Sequence, residues 1–592
     1  MRSRFTLPLA SAVFFCFILY SLERISRESA VLLNIAAQPP PAPEQPTPAS
    51  WRNPPPPPKI TGSSTPKKAQ GTGLHPIEDL INDQQREFEA VRSRQSKSLK
   101  EAVGEYRRRY KMSPPPNFDK WFEFAKANKV QLVDEFDTIY DLITPFWGLK
   151  PKTIRERAKE ALGGDNFLLG VAIRNHRIKY MDGAEDWQRN ATEGMINKFV
   201  NYLPDMDLAF NIHDEPRVMV PADDMSRLVS RAKDINMPLA NSVTKPFNNF
   251  SPPAKELGRG AGFDETKVTR FNSFARQPTW SNSRMSCPPE SPARSLEEDE
   301  QIDYISEYGY SDLGFIYNIT AMSDVCINPS VSTTHGIFAP NAYSVVHDLF
   351  PIFSQSKIST YGDLIYPSPW YWYDRVAYDE KLDMPWEKKE DQLYWRGSTT
   401  GGFSRRGGWR RQHRQRFVQK INGRGEGKIM VRNGSGADAE WHVSKVSRRE
   451  HSDLVDVQFS HVGQCDPGDC QAQVNFFNPA EPADQQAAWG YKYLLDMDGN
   501  AFSGRFYAFL RSRSLVFKMA LFREWHFDWL RPWLHYVPLS LQGDDWLEAT
   551  RFFGSADGTK HAQKIAAASR EWANKAIRKE DMEAWFFRLL LE

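Results

Sequence analysis

The sequence lacks the features that would place it quickly in several common classes of protein. Its charge is almost balanced, with 76 Lys and Arg against 74 Asp and Glu, which argues against a global polyelectrolyte partner. It has neither a GxxxxGK[ST] phosphate loop nor a GxSxG nucleophile turn. A P-loop NTPase, a kinase and a serine hydrolase with the usual nucleophile turn are therefore not indicated.

Long apolar runs are also scarce, and the informative one lies at the N-terminus. Arg2 and Arg4 precede an uncharged, mostly apolar stretch from Phe5 to Leu22. This stretch is near the minimum length for a membrane span and long for a signal-peptide core. The positive charges before it favour a cytoplasmic N-terminus. We predict a single-pass anchor over residues 1–25 with the rest of the chain in the lumen of the Golgi or endoplasmic reticulum; a cleaved signal is the alternative.

Cysteine is rare, and its distribution agrees with a secretory location. Cys16 lies in the apolar run, which leaves Cys287, Cys326, Cys465 and Cys470 for the remaining chain. Four cysteines permit three pairings in an oxidising compartment. The pairing we favour is the one between the cysteines closest in sequence, Cys465–Cys470, which leaves Cys287–Cys326 as the second disulfide. Four buried free thiols in a cytosolic protein are the alternative.

Composition and periodicity divide the chain after the anchor. Residues 26–75 are rich in Pro, Ser, Thr and Gly and cannot bury a core, so we predict an extended stem. Residues 76–116 carry apolar side chains at helical spacing from Ile77 to about Lys111, which predicts one long amphipathic helix. We expect an N-terminal acceptor-side α/β domain over 117–380 and a C-terminal donor-binding α/β domain over 381–592.

The α/β class follows from strands that alternate with helices. Asn166–Arg174 and Leu208–Ile212 have the composition of short strands, with a helix between them over Glu193–Tyr202. In the C-terminal part, Tyr491–Leu495 and Ser514–Met519 are strand-like and enclose a helical segment. Each pattern is typical of an α/β layer.

A loop of small residues in the C-terminal part has the composition of a phosphate site. An apolar run ends at Trp395, and a basic helix is predicted to follow the loop as far as about Ile421. Backbone N–H groups and a helix N-terminus at such a loop attract anions, and an arginine can fork onto two phosphate oxygens. An ordinary glycine-rich turn is the alternative. The candidate ligands of a diphosphate in this loop are Arg396, Gly397, Ser398, Thr400 and Gly401.

A second loop of the same kind follows the strand that begins near Tyr491. Ser503 and Arg505 stand at the predicted start of a helix, and Lys492 and Asp498 come from the strand and its turn. If the two strands are neighbours, these side chains converge with Arg396 on one sheet edge. Two such loops together form a better diphosphate site than either alone.

The N-terminal part supplies a candidate catalytic base. His213-Asp214-Glu215-Pro216 follows a predicted strand, and Pro216 keeps Glu215 out of a helix. Ligands of open α/β sheets lie at this end of the strands. Asp214 or Glu215 could therefore take a proton from an acceptor hydroxyl; a solvated acidic turn is the alternative.

The chain also resembles glycosyltransferase family 90, which holds fungal capsule-associated xylosyltransferases and animal protein O-glucosyltransferases. The N-terminal anchor and stem are similar to the fungal type. The resemblance covers roughly residues 75–592. The motifs that carry it are Trp395–Gly401, Lys492–Asp496, Ser503–Phe506, Ser514–Lys518 and Pro532–Pro538.

This resemblance implies a GT-B fold of two Rossmann-like domains that face a cleft, and an inverting mechanism on a UDP-sugar. The segment from Leu203 through Asp214 matches the one that holds the family's base, which selects Asp214. Ala501 departs from the glycine that is often found there. The positions that match donor-binding residues of the family are Arg396, Thr400, Lys492, Ser503 and Arg505.

The expected activity is transfer of xylose, or else glucose, from UDP-xylose or UDP-glucose to a glycan, glycolipid or glycoprotein acceptor. A protein O-glucosyl- or xylosyltransferase acting on Ser and a non-catalytic glycan-binding protein of the same fold are the alternatives. Asp496-Met-Asp498 is formally a metal-binding DxD, but fixed cations nearby can replace the metal, so no metal ligand is assigned; a divalent ion that assists the diphosphate is the alternative. We expect membrane contact through the anchor and no nucleic acid. The arginines after Gly402 are expected to form a solvated face or to contact anionic glycan or lipid.

Overall fold

The structure, a computed structural model, describes residues 62–69, 71–242 and 248–592. These residues form an α/β protein built around two five-stranded sheets, with three two-stranded sheets beside them. The α/β class predicted from the sequence is confirmed. The predicted anchor, residues 1–25, lies outside the described residues. In the part that the structure describes, no helix has the length and apolar character that a bilayer crossing requires.

The described end of the predicted stem packs on the globular part. The backbone N–H of Lys67 donates to the carbonyl of Gly309 at 2.8 Å, and the N–H of Ser311 donates to the carbonyl of Lys67 at 2.7 Å. His75 is buried, with Nε2 at 3.0 Å from a carboxylate oxygen of Glu548. The expectation of an extended spacer as far as residue 75 is therefore wrong for this end of it, because its backbone pairs with the globular part.

The single amphipathic helix expected after the stem is two helices, Pro76–Ser93 and Leu99–Tyr110. Ser98 caps the second helix, and its hydroxyl accepts a hydrogen bond from the N–H of Glu101, the third residue of the helix. The chain leaves helical geometry before it, where the N–H of Ser96 donates to a carboxylate oxygen of Asp134 at 2.6 Å. Polar groups that bind elsewhere in the fold thus break the predicted helix.

The first sheet occupies the N-terminal half in the order β2-β1-β3-β8-β9. Its central strands are apolar and buried because both faces are covered. The β1 strand runs antiparallel to β2 and β3, whereas β3, β8 and β9 are parallel. The strands of this half, in chain order, are β1 (Leu168–Arg174), β2 (Arg177–Asp182), β3 (Met206–Asn211), β4 (Asn272–Ala275), β5 (Gly309–Tyr310), β6 (Phe315–Ile316), β7 (Ala342–Val345), β8 (Ile352–Ser354) and β9 (Leu364–Ile365).

The second sheet occupies the C-terminal half and is parallel throughout, in the order β13-β10-β14-β15-β16. Because β10 lies next to β14, the loops that follow these two strands leave the same edge of the sheet. A separate hairpin, β11 with β12, was not predicted. The strands are β10 (Glu390–Ser398), β11 (Glu426–Asn433), β12 (Glu440–Ser447), β13 (Val455–His461), β14 (Tyr491–Met497), β15 (Leu515–Met519) and β16 (Val537–Pro538).

The remaining helices cover the sheets and connect them. Those of the N-terminal half are Phe118–Ala127, Asp137–Ile143, Pro151–Gly163, Asp186–Asn197, Ala222–Arg231, Met237–Asn241, Trp280–Ser283, Ile319–Met322, Val331–Thr334 and Pro369–Trp372. Those of the C-terminal half are His413–Ile421, Pro467–Phe477, Phe506–Arg511, Trp546–Gly554, Gly558–Ala576 and Lys579–Leu591.

The last helix, Lys579–Leu591, returns to the N-terminal half. Its Phe587 stacks on Phe199 with 4.7 Å between ring centroids, and the indole N–H of Trp121 donates to the carbonyl of Ala584 at 2.9 Å. Every residue of the helix from Asp581 on is buried. The C-terminal helix therefore ties the two halves together, a role that the predicted domain boundary at 380 does not anticipate.

We expect Phe586→Ala to destabilise the chain by about 3–5 kcal/mol, because Phe586 is completely buried and its ring meets Phe210 and Tyr366. Phe476→Ala is the matched control, since Phe476 is 54% exposed; its effect should stay within about 0.5 kcal/mol. Urea unfolding of both variants measures the difference. Equal losses of free energy of unfolding would contradict this account of the final helix.

Candidate active site

The two predicted loops meet at the edge of the second sheet. The backbone N–H of Gly401, in the loop after β10, lies 3.2 Å from the amide oxygen of Asn500, in the loop after β14. Farther along the second loop, Nη1 of Arg505 donates to the carbonyl of Arg396 at 2.6 Å. The structure thus brings together residues that are about a hundred positions apart in the chain.

A buried arginine that the sequence analysis assigned to a solvated face holds the two loops in place. Arg414 donates from Nη1 to the carbonyl of Ser398 at 3.0 Å and to the hydroxyl of Thr400 at 3.1 Å. Its Nε donates to the carbonyl of Asp498 at 2.7 Å, and its Nη2 lies 3.3 Å from the carbonyl of Met497. Burial lowers the pKa of this guanidinium to about 10, so it stays charged at neutral pH. Arg414 therefore fixes the loops rather than offering free donors to a ligand.

The helix after the first loop starts later than predicted but still faces the loop. It spans His413–Ile421 and follows a loop over residues 399–412 that includes a short 3-10 helix, Gly408–Arg411. The ring of His413 donates from Nε2 to the carbonyl of Asp498 at 2.7 Å and stacks on His335 with 4.0 Å between centroids. Burial lowers the pKa of His413 to about 3, so both this ring and the equally buried His335 are neutral at pH 7. The helix N-terminus thus contributes its dipole beside Gly401.

Two glycines allow the halves to approach closely at this point. A Cβ on Gly336, in the N-terminal half, would lie 1.3 Å from the carbonyl oxygen of Gly401. Gly401 also has a φ of 115°, which disfavours any other residue. Backbone therefore contacts backbone at this junction of the two halves.

The acidic turn lies on the N-terminal half, directly after β3. The carboxylate of Asp363 accepts from the N–H groups of Arg217 and Val218 at 2.9 and 2.8 Å. The side-chain amide of Asn211 donates to the carbonyl of Glu215 at 2.7 Å, and its oxygen accepts from Nε of Arg217 at 2.5 Å. Both flanks of the turn are thus held by buried polar side chains, which fixes the direction of Asp214.

Asp214 faces the loops of the other half. Its Oδ2 lies 3.4 Å from the amide nitrogen of Asn500, whose oxygen accepts from Gly401. The side chain is open to solvent, yet protein surrounds it on both sides, and this enclosure raises the pKa of the carboxyl above its ordinary value. Asn500 therefore links the candidate base to the candidate diphosphate loop through one amide group.

The neighbouring acid, Glu215, turns into the interior. Burial raises the pKa of Glu215 to about 8, and the nearby charge of Asp214 adds to the effect. Glu215 is therefore protonated at neutral pH, whereas a base must be ionised before it can accept a proton. Of the two acids in the turn, the structure leaves Asp214 exposed in the space between the sheets.

The two predicted arginines differ in how they are paired. Arg396 forms an ion pair with Asp456 at 2.7 Å and also donates to the Asp456 carbonyl, so its fork is occupied by protein. Arg505 has no carboxylate within 4.0 Å among the described residues. Burial lowers the pKa of its guanidinium from the ordinary value, as expected for a cation that lacks a paired anion. In this structure the guanidinium of Arg396 therefore binds Asp456 and is not free to bind a phosphate as predicted. Of the two arginines, Arg505 is the one whose charge is available to a ligand.

Two other predicted ligands do not join the cluster. Lys492 lies at the start of β14, at the opposite end of the strand from the loop, and pairs with Asp391 at 3.2 Å. Asp498 follows the strand, but its carboxylate is buried and accepts from the N–H groups of Leu521 and Phe522 at 2.6 and 3.1 Å. Asp498 thus organises the protein interior, and burial raises the pKa of its carboxyl to about 7.

The small residues of the two loops make contacts with neighbouring side chains of the fold. The hydroxyls of Ser398 and Thr400 lie 2.7 Å apart beside Arg414, and Gly397 precedes them at the end of β10. The carbonyl of Ser503 accepts from the hydroxyl of Tyr371 at 2.7 Å, which ties the second loop to the helix Pro369–Trp372 of the other half.

The residues that sequence reasoning missed are those that position the site. Arg414 was visible only as one member of an arginine-rich stretch, and nothing in the sequence marks it as the buried member. Asn500 stood in a predicted turn without a role. His335 and Asp363 were given no role, and each matters through a contact with a distant part of the chain.

Comparison with known proteins points to one family. Residues 437–592 match the family model described as Glycosyl transferase family 90. This match contains Asn500 and Arg505, whereas Asp214 and the loop after β10 lie outside it. It confirms the resemblance to glycosyltransferase family 90 that the sequence motifs indicated.

Several curated proteins are similar to part of the chain. The O-glucosyltransferase rumi homolog of Aedes aegypti is 26% identical over 262 residues, which is 40% of this chain and 54% of that protein. Protein O-glucosyltransferase 1 of Rattus norvegicus is 25% identical over 262 residues, or 41% and 56%. Protein O-glucosyltransferase 2 of Danio rerio is 29% identical over 100 residues, or 17% and 20%. The chain spans about half the length of the first two relatives.

The buried proton of Glu215 predicts how stability depends on pH. The folded chain keeps this proton up to a pH of about 8, whereas the unfolded chain loses it near the ordinary value of 4.5. The contribution of Glu215 to the free energy of unfolding therefore falls as the pH rises between these values. Glu215→Gln is neutral at every pH and should make that decline shallower in urea unfolding at a series of pH values.

The control for this measurement is Glu290→Gln, which removes an exposed carboxylate. We expect it to leave the pH dependence of unfolding unchanged. A Glu215→Gln chain with the same slope as the parent would show that Glu215 is ionised in the fold.

Proposed function

We propose that this chain is a glycosyltransferase that moves a sugar from a UDP-sugar to an acceptor hydroxyl. The observation that carries the proposal is the meeting of Asp214, from the N-terminal half, with the two loops of the C-terminal half through Asn500. The match of residues 437–592 to family 90 and the names of the relatives support the same reaction class.

In this proposal Asp214 is the general base. Its carboxylate accepts the proton of the acceptor hydroxyl as that oxygen attacks the anomeric carbon of the donor sugar. The bond from this carbon to the diphosphate breaks on the opposite side, so the configuration inverts. The raised pKa of Asp214 matches the carboxyl to this task, because a stronger base takes the proton more readily while it is still ionised.

The leaving diphosphate would be stabilised by the two loops of the second sheet. Arg505 supplies a cation that has no carboxylate partner among the described residues, and the hydroxyl of Thr400 and, once it leaves the amide oxygen of Asn500, the N–H of Gly401 supply donors. Groups fixed before the reaction stabilise developing negative charge without reorganising. The carboxylates of Asp496 and Asp498 are buried, and one oxygen of each is bonded within the protein, so we assign them no contact with the diphosphate.

The arrangement we infer is of the GT-B type, with the acceptor on the side of the first sheet and the donor on the side of the second. The two disulfides, Cys287–Cys326 and Cys465–Cys470, pair as expected from the sequence and are consistent with an oxidising compartment. We therefore propose a lumenal location, held at the membrane by the predicted N-terminal anchor.

Different observations favour different donor sugars and different classes of acceptor. The predicted anchor and stem resemble the fungal type of the family, which favours xylose and a glycan or glycolipid acceptor. The relatives named above are O-glucosyltransferases, two of them protein O-glucosyltransferases, which favours glucose and a protein hydroxyl. A protein O-glucosyltransferase is thus the second candidate function.

We expect Asp214→Asn to lower the rate of sugar transfer by about 10²–10⁴-fold, because the amide cannot accept the proton. UDP affinity, measured by titration calorimetry, should be unchanged, since Asp214 contacts the acceptor rather than the diphosphate. Asp223→Asn, at an exposed helical position, is the matched control and should keep full activity. Transfer at the parental rate by Asp214→Asn would refute its assignment as the base.

A donor screen identifies the sugar. Release of UDP should be measured from UDP-glucose, UDP-xylose, UDP-galactose and UDP-glucuronate, each with a folded protein acceptor and with a mannose-containing glycan. We expect transfer from UDP-glucose or UDP-xylose, with the productive acceptor deciding between the two candidate functions. The absence of UDP release from every pair, with UDP still bound, would favour a glycan-binding protein without turnover.

A further inference from the structure

A cavity of about 380 Å³ opens at the edge of the first sheet that carries the acidic turn. Leu168 at the start of β1 pairs with Asn211 at the end of β3, and Asp182 ends β2 on the other side of β1. These three strand ends therefore lie side by side. Ile212, two residues before Asp214, is part of the cavity wall. The cavity thus adjoins the candidate base, and its volume is that of an ordinary ligand pocket.

An exposed aromatic side chain of this cavity is held in a strained backbone conformation. Phe167 lines the cavity, is 44% exposed and has a φ of 54°, which is unfavourable for a bulky residue. The buried guanidinium of Arg217 holds it there, because Nη2 donates to the carbonyl of Phe167 at 3.1 Å and Nη1 to the carbonyl of Asn166 at 2.8 Å. Such strain persists where the surrounding structure enforces it, and it is concentrated at ligand sites.

The ring of Phe167 lies beside the acidic turn. Its centroid is 5.4 Å from that of His213, the residue before Asp214. Burial lowers the pKa of His213 to about 4, so this ring is neutral at pH 7. The two rings form an uncharged aromatic surface next to the candidate base. The C–H groups on one face of a pyranose ring carry slight positive charge and pack on such a surface, because the face of an aromatic ring is negative.

A second phenylalanine, Phe263, contributes to the wall of the cavity. Its ring lies against β1 at Gly170, where a Cβ would come 2.3 Å from Cε2 of the ring. The ring also meets Tyr180 of β2, with 5.4 Å between centroids. The aromatic wall is therefore built into the sheet, since the glycine leaves the room that the ring occupies.

Carboxylates give the cavity its polarity. Asp165 and Asp182 line it and are exposed, and no lysine or arginine of the described residues lies within 4.0 Å of either carboxylate. One oxygen of Asp182 accepts from the N–H of Gly183 at 3.0 Å. Ionised carboxylates accept hydrogen bonds from hydroxyl groups and repel anions. With Asp214 nearby, the cavity therefore suits an uncharged ligand that is rich in hydroxyl groups.

We propose that this cavity binds a neutral pyranose unit of a glycan acceptor. The C–H face of the sugar packs on Phe167, and its hydroxyl groups donate to Asp165 and Asp182. The hydroxyl that reacts faces Asp214, a contact for which the inference rests on the proposed function. A serine side chain would leave most of the cavity and the ring of Phe167 in water. The cavity therefore favours a glycan over a protein hydroxyl as the acceptor.

Calorimetric titration of the full chain tests the proposal. The chain should be kept in a detergent without a sugar headgroup and titrated, with UDP present, with neutral trisaccharides of mannose, galactose and glucose. We expect binding within this set, and we expect Phe167→Ala to weaken it by about tenfold, the upper end of the contribution of an aromatic contact. Phe167→Tyr keeps the ring and should bind like the parent.

Two further variants separate the ring from general effects on the fold. Phe476→Ala removes a ring that is 54% exposed in the C-terminal half and should leave sugar binding unchanged. Phe167→Gly removes the same ring as Phe167→Ala but accepts the positive φ. It should be no less stable than Phe167→Ala in thermal unfolding and should bind sugar as weakly.

The carboxylates are tested with an anionic sugar. The parent should bind a trisaccharide of glucuronate more weakly than the neutral one, and Asp165→Asn with Asp182→Asn should narrow this difference. Asp223→Asn with Glu290→Gln removes the same charge from exposed sites elsewhere and should leave the difference unchanged. An equal effect of both pairs would mean that only net charge matters and would contradict the assignment of these carboxylates.

Three results would overturn the proposal. The first is that none of the neutral trisaccharides binds. The second is that Phe167→Ala binds sugar as tightly as the parent. The third is that binding of a folded protein acceptor, and not of sugar, depends on Phe167, which would assign the cavity to protein.

The proposed function fails in a different way. Sugar binding that depends on Phe167, without transfer by the parent chain, would refute the transferase and leave the sugar site standing. Transfer to a glycan with an unchanged KM in Phe167→Ala would refute the sugar site and leave the transferase standing.

Discussion

The site depends on the buried guanidinium of Arg414, which joins the ends of two parallel strands. Carbonyl oxygens at the ends of β10 and β14 would otherwise face one another and leave buried acceptors without partners. A single planar cation satisfies both ends and sets their spacing. The N–H of Gly401 and the side chain of Arg505 keep their positions because the loops that carry them are held here.

A second constraint sets the distance between the two halves. Gly336 and Gly401 touch through backbone, and the neutral rings of His335 and His413 stack beside them. The final helix also packs on the first sheet, where Phe586 meets Phe210 of β3. Asp214 reaches Asn500 because these contacts bring the edges of both sheets together. The position of the carboxylate therefore depends on packing far from it as much as on its own turn.

Local patterns in the sequence were enough to predict the α/β class, the strands β1, β3, β14 and β15, and the small-residue loops. They also selected Asp214 as the candidate base, with the help of the family resemblance. They failed where a side chain is used by a distant partner. The fork of Arg396 is taken by Asp456, Lys492 lies at the wrong end of its strand, and the carboxylate of Asp498 turns inward.

Contacts between distant residues also explain two other differences from the predictions. The segment predicted as one long helix forms two helices, and the arginines after Gly402 differ in burial. The spacing of apolar residues shows which face of a segment is apolar. It does not show that Asp134, far along the chain, accepts a hydrogen bond from Ser96 where the predicted helix is interrupted. Composition likewise treats Arg414 and Arg405 alike, although one is buried between two loops and the other is exposed. The role of each of these residues depends on which distant residues it contacts in the folded chain.

The measurement that tests the central claim most directly is a crystal structure of the chain with UDP bound. The account predicts diphosphate oxygens within hydrogen-bond reach of Arg505 and of the loop from Thr399 to Gly401, with Asp214 on the opposite side of the sugar position. UDP held elsewhere, or at this edge with Asp214 turned away from it, would contradict the account.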